Sequence, residues 1–285
     1  MQVQWYPGHM TKAKRMMQEN IKLIDLIIEL LDARVPLSSR NPDIDELGKN
    51  KARLIVLNKA DLADEAVNEA WISYFQSLEY QTVRIDARNR GNTKSIQDAV
   101  MEACREKIER DRKRGILNRP VRAMVVGIPN VGKSTLINSM AGKACAKTGN
   151  KPGVTKGKQW IRLNKNVELL DTPGILWPKF EDQKVGLHLA MIGSINDEIL
   201  NTEELALELL TKVRSFKQGL IENRYGVDEN GSTVELLYRI AKVRGCLKKG
   251  EEADTVKASG IILDDFRSGK LGRISLEHPG SGIYE

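Results

Sequence analysis

The chain has 285 residues, 41% hydrophobic and 29% charged, with 45 basic against 38 acidic side chains and a net charge of +7. That length suits one large domain plus a smaller one, and this balance excludes a fibrous or strongly disordered chain. The basic excess permits an anionic partner without requiring one.

Residues 9–22, with Lys12, Lys14 and Arg15, read as a short basic helix. Apolar runs with strand-like length and β-branched content follow at 26–34, 53–61, 82–88, 122–127, 158–163 and 167–174. Helical patterns fall between several of them, at 64–78, 93–114 and 132–141. Strands alternating with helices predict an α/β fold with a mostly parallel six-stranded sheet. No helix separates the last two strands, which predicts an antiparallel pair. After Trp177-Pro178 the pattern turns helical throughout 184–250, predicting a boundary near 178–182. The expected organisation is therefore an α/β domain over 1–178 and an all-helical domain over 179–285.

Cys104, Cys145 and Cys246 lie far apart with no CxxC pair, as expected of a reduced, cytoplasmic protein. The longest apolar run, around 24–31, is interrupted by Asp25 and Glu29, so no membrane span is expected. The opening MQVQWYPGHMTKAKRMM has no signal-peptide core.

Residues 127–134 read GIPNVGKS, the GxxxxGK[ST] pattern between a strand and a helix. Backbone N–H groups of such a loop (Asn130, Val131, Gly132, Lys133, Ser134 and Thr135) point at phosphates. Lys133 would reach the β- and γ-phosphates, and the Ser134 hydroxyl would bind Mg²⁺. DTPG at 171–174 ends a strand; there Asp171 would orient the metal through its water shell and the Gly174 N–H would meet the γ-phosphate. Thr155, in PGVTKG between these motifs, is placed to close on both metal and γ-phosphate, or is a loop threonine.

NKAD at 58–61 names the base. The Asp61 carboxylate accepts from guanine N1–H and the exocyclic amine, a donor pair that adenine lacks on that edge. The Lys59 stem can lie on the base, and Asn58 can tie two loops together. In DAR (86–88), after the next strand, Asp86 leads into Ala87, whose N–H is a candidate donor to guanine O6. The motifs thus predict GTP as substrate and GDP as product. Its motif order is unusual, with the base-reading NKAD ahead of the P-loop and DTPG. A site assembled from loops on one sheet edge tolerates such circular permutation.

The order NKAD–DAR–GIPNVGKS–PGVTKG–DTPG, the WYPGHM start and DARVP (32–36) resemble the bacterial ribosome biogenesis GTPase A family of circularly permuted P-loop GTPases, over essentially the whole chain. The resemblance implies a cytoplasmic, monomeric GTPase that binds the immature large ribosomal subunit and its rRNA, where its hydrolysis is stimulated.

Four features depart from ordinary GTPases or admit two readings. Ile175 follows DTPG, where many GTPases carry a water-orienting glutamine, so it is expected to pack on the sheet and intrinsic hydrolysis to be slow. His9 is the candidate to supply the missing catalytic group, the alternative being an exposed histidine in a passive arm. Asn130 either helps hold K⁺ or serves the Pro-Asn turn. Residues 142–165 hold seven Lys or Arg and no acidic residue, a loop suited to phosphate-backbone contact or simply solvated, and 105–114 reads as a solvated helix. His188 and His278 are expected to be structural.

Overall fold

A computed structural model describes residues 8–117, 119–146, 159–178, 180 and 182–280. Helix α1 (Gly8–Asn20) leads into strand β1 (Leu26–Asp32), and α2 (Asp43–Leu47), β2 (Ala52–Asn58), α3 (Glu65–Ser77) and β3 (Gln81–Arg84) come after it. Next come α4 (Thr93–Ala103), α5 (Arg105–Lys113), β4 (Val121–Gly127), α6 (Lys133–Ala141), β5 (Gln159–Arg162) and β6 (Val167–Asp171). The sheet order is β3-β2-β1-β4-β6-β5, with only the β5–β6 pair antiparallel.

Every residue of β1 is buried, as expected of a central strand covered by helices on both faces. Its Glu29 is compensated by a short bond from Arg53, yet burial still pushes its carboxyl pKa up. The helix expected over 93–114 breaks at Cys104. The first part, α4, buries Ile96 and Val100 against the sheet, whereas α5 buries none of its residues and is a solvated segment. From β1 the chain steps outward through β2 and β3, then returns to β4 on the other side of β1. That reversal leaves a crevice beyond the carboxyl ends of β1 and β4, the usual ligand position in an open α/β sheet.

The second half contains α7 (Gln183–Met191), α8 (Thr202–Phe216), α9 (Leu220–Tyr225), α10 (Thr233–Val243) and α11 (Thr255–Arg267). Leu205, Leu209 and Val213 of α8 share a core with Leu236 and Ile240 of α10 and Ile262 and Phe266 of α11. Ser232 and Glu235 close a reciprocal capping box that fixes where α10 begins.

Beyond α11 the chain turns back and lies against the first half, a course that no sequence pattern signals. The Ile274 N–H donates to Leu62 O at 3.0 Å and the Leu276 N–H to Arg34 O at 2.8 Å. Glu277, fully buried, accepts from the Leu37 N–H at 2.8 Å and the Ser38 N–H at 3.2 Å. His188 Nδ1 lies 2.8 Å from the same carboxylate, which gives this buried histidine a packing role. The His278 ring stacks on Phe216.

Candidate nucleotide-binding and hydrolysis site

Strand β4 ends at Gly127, whose φ of 152° an L side chain rarely adopts, and an added Cβ there would sit 2.6 Å from Leu30 O. Gly132 (φ 104°) is equally constrained, because an added Cβ would collide with Asn58 Nδ2. The loop between them therefore needs both glycines to lie against β1 and β2. Helix α6 starts immediately afterwards at Lys133, so its free N–H groups and positive dipole end face the loop.

Lys133 is buried and its Nζ donates to Gly127 O at 3.1 Å and Ile128 O at 2.8 Å, holding the ammonium inside the loop. Burial lowers its pKa to about 8, against the opposing pull of Asp171. Asp171, at the end of β6, is also buried; its pKa is raised by burial, with Lys133 opposing. Its Oδ1 has no hydrogen-bond partner among the described residues. A buried, unpartnered carboxylate oxygen beside the helix carrying Ser134 fits a hard cation held through oxygen ligands. Ser134 and Asp171 are thus the pair that would hold Mg²⁺, directly and through its water shell.

Gly174 presses on the same loop, since an added Cβ would sit 2.8 Å from Pro129 Cα and 2.9 Å from Lys133 Nζ. The next residue, Ile175, is buried and its N–H donates to Gly127 O at 3.3 Å, so it packs rather than faces the reaction. The Leu176 N–H meets Met10 Sδ at 3.4 Å. The first turn of α1, and with it the backbone of His9, therefore lies beside the segment following DTPG. The His9 side chain, Thr155 and residues 147–158, the middle of the basic 142–165 loop, fall outside the described residues.

The side carrying NKAD, expected to read the base, is built around Asn58. Its Nδ2 donates to Val131 O at 2.6 Å and its Oδ1 accepts from the Ala87 N–H at 2.9 Å. One side chain thus joins the NKAD, DAR and P-loop segments. In this structure the Ala87 N–H, expected to meet guanine O6, donates to Asn58 Oδ1. The Asp61 carboxylate is half-exposed and accepts from Arg88 Nη2 at 2.5 Å. Lys59 adopts a left-handed conformation (φ 58°) and its Nζ pairs with Asp32 at 3.0 Å. Burial would raise the Asp32 pKa, but Arg34 and Lys59 outweigh it and hold the carboxyl far below the usual range.

Asn130 also has a role that its turn chemistry did not suggest. Its Nδ2 donates to Gly193 O at 2.7 Å, and Ser194 Oγ donates to Pro129 O at 2.9 Å. The carboxamide nitrogen is therefore spent on the helical half, and any K⁺ beside Asn130 would have to coexist with that bond.

Asn58, Val131 and Ala87 thus meet on one side, and Lys133, Asp171 and Gly174 on the other, with Thr135 half-buried in the first turn of α6. Asp32, Arg34, Arg88 and Ser194 were not singled out from sequence. DARVP contained the first two, but only as part of a resemblance.

The family described as "50S ribosome-binding GTPase" matches residues 122–225. A Bacillus cereus relative named ribosome biogenesis GTPase A is 49% identical over 280 residues, covering 98% of this chain and 95% of the relative. The chain belongs to the ribosome biogenesis GTPase A family. A Thermotoga maritima member with the same name is 32% identical over 275 residues, covering 96% of this chain and 94% of its own. The crystal structure of GNP-bound YlqF from T. maritima is 27% identical, covers 94% of this chain and 98% of that one, and gives a TM-score of 0.67. The GDP-bound form gives 0.68 at 26% identity, with 93% and 99% coverage. As a ribosome biogenesis GTPase A family member, the chain is a GTP hydrolase involved in ribosome biogenesis. None of its described helices is long and apolar enough to cross a membrane.

Proposed function

We propose that this GTPase is a cytoplasmic, monomeric assembly factor for the large ribosomal subunit, binding the precursor particle and its rRNA in the GTP state and leaving after hydrolysis. The observation that carries this reading is the direct bonding of the phosphate loop to the helical half, Asn130 to Gly193 and Ser194 to Pro129. Phosphate contacts can thereby bias how the helical half is held, a known route from bound nucleotide to larger motion. A particle is a suitable reader of that difference, since Arg239, Lys242, Arg244, Lys248 and Lys249 supply positive charge on and after α10 for RNA phosphates. Co-sedimentation with large-subunit precursors in GTP, GDP and a non-hydrolysable GTP analogue tests it. Retention with GTP and its analogue and loss with GDP is expected; equal retention in all three would overturn it.

In this reading Lys133 stabilises charge on the β- and γ-phosphates, and the Gly174 N–H meets the γ-phosphate. Ser134, Asp171 and Thr155 serve Mg²⁺, which would neutralise charge developing on the phosphoryl oxygens when bound. Asn58 and Asp86 hold the loops from which Lys59 and Asp61 meet the base. Asp61→Asn should weaken GTP by about two orders of magnitude or more and favour xanthine nucleotides, whose C2 oxygen suits an amide donor. Unchanged GTP affinity by calorimetry would remove this base assignment.

His9 is the proposed water-orienting group, because Ile175 is packed and α1 starts beside Leu176. His9→Ala should lower particle-stimulated turnover by about 10²-fold with nucleotide affinity near wild type, the usual scale for one acid–base group. Equal stimulated turnover in the two proteins would make the α1 start a passive arm.

A further inference from the structure

The carboxylate proposed above to read guanine is engaged by a side chain of the neighbouring loop. Arg88 Nη2 donates to Asp61 Oδ2 at 2.5 Å. The same guanidinium grips Asp86 through Nε to Oδ1 at 2.9 Å and Nη2 to Oδ2 at 3.1 Å. The Arg88 N–H also donates to Asp86 Oδ1 at 3.0 Å, which fixes the base of the side chain. Arg88 thus spans the NKAD and DAR loops, which Asn58 joins from below by accepting the Ala87 N–H.

The chemistry of the two donors is the same. Guanine's N1–H and exocyclic amine are joined through C2 as a planar guanidine unit, and Arg88 ends in a planar guanidinium with the same side-by-side N–H geometry. A carboxylate oxygen accepting from Arg88 must exchange that donor for guanine's. Arg88 gives Asp61 a single donor, so guanine N1–H replaces what it removes and the exocyclic amine adds a second bond, whereas a base with N1–H alone only breaks even.

We propose that Arg88 is a competing donor for Asp61 that guanine displaces on entry, making it a determinant of nucleotide association rate. This rests on Asp61 reading the base. Arg88 is 67% exposed on its side chain and Asp61 34%, so the competition is screened by water. Its expected size is about two- to fivefold, the range an exposed ion pair allows.

Stopped-flow association of N-methylanthraniloyl-labelled GDP and IDP with the full chain tests the idea. Arg88→Ala should speed GDP association about two- to fivefold, and IDP, whose N1–H displaces the same single donor, by a similar factor. The GDP difference should shrink as salt rises. Arg88→Lys, which keeps the charge but loses the paired planar donors, should fall between. In an Asp61→Asn background, Arg88→Ala should leave association of labelled XDP unchanged, because the amide offers the guanidinium no charged partner. Slower or unaltered GDP association in Arg88→Ala, with Asp61→Asn still losing GDP, would overturn the competition while sparing the base assignment. Retention of GDP affinity by Asp61→Asn would instead remove the base assignment on which both depend.

Discussion

Replacing Lys133 with alanine is expected to lower GTP turnover by about 10²–10³-fold or more, since a buried, preorganised cation on the transferring phosphoryl group is lost. Ser134→Ala should lose turnover on a similar scale by removing the proposed Mg²⁺ ligand. Single-turnover hydrolysis at saturating GTP separates this from weakened binding, and wild-type rates in either variant would mean the phosphate loop is misassigned.

The lysine also predicts two pH trends of opposite sign. Its pKa falls from the ordinary 10.5 to about 8 because the folded chain buries it, so between those values the unfolded chain binds more protons. Stability of the nucleotide-free protein should therefore rise with pH across that window, by ~3 kcal/mol at most. Below pH 8 the cost of burying the charged ammonium is fully present. GTP affinity should move the other way, falling above pH 8 as the ammonium loses its proton. Urea unfolding and GTP titration between pH 7 and 10 check both trends. Parallel trends would mean that some other group dominates, and Lys133→Met should flatten the first.

What the sequence made legible was local. GIPNVGKS, DTPG and NKAD each state their chemistry in four to eight consecutive residues, and each stands where a strand ends. The six strands were readable because buried parallel strands are nearly unbroken apolar runs, as LIIELLD of β1 illustrates. Asn58 was expected to tie two loops, and it does, because an asparagine at a strand end carries both a donor and an acceptor. The same bond diverts the Ala87 N–H, which no local pattern could foretell. The contacts that were invisible join residues with no local signature. Asn130 reaches Gly193 across 63 positions, and Glu277 reaches Leu37 across 240. Nothing in the run after α11 has helical or strand periodicity, yet its Glu277 fills a buried position between His188 and the amides of Leu37 and Ser38.

Those long-range contacts determine how coupling between nucleotide and particle should be tested. Cutting the chain near residue 180 would strip Glu277 from the Leu37 and Ser38 amides and Arg273 from Ala60 O and Ala63 O, exposing part of the first half's core. A point change at the junction is cleaner. Ser194→Ala removes the bond to Pro129 O and leaves that buried carbonyl short of a donor, a loss of about 1–3 kcal/mol concentrated where the phosphate loop meets the helical half. Arg267→Ala acts one step further out, since its guanidinium holds Ala190 O at 2.8 Å and Met191 O at 3.0 Å at the end of α7, just before Gly193. If the junction transmits nucleotide state, both variants should bind GTP within about twofold of wild type. Their preference for the large-subunit precursor in GTP over GDP should fall about five- to tenfold, as 1–1.4 kcal/mol of lost coupling requires. A second route runs from the base side, where Lys59 pairs with Asp32, Asp32 with Arg34, and Arg34 donates to Phe266 O of α11. That route leaves the phosphates untouched and should carry no difference between GTP and GDP, so Arg34→Lys should weaken both nucleotide states equally. A Ser194→Ala protein that keeps the full GTP preference, with Arg34→Lys losing it, would place the coupling on the base side instead.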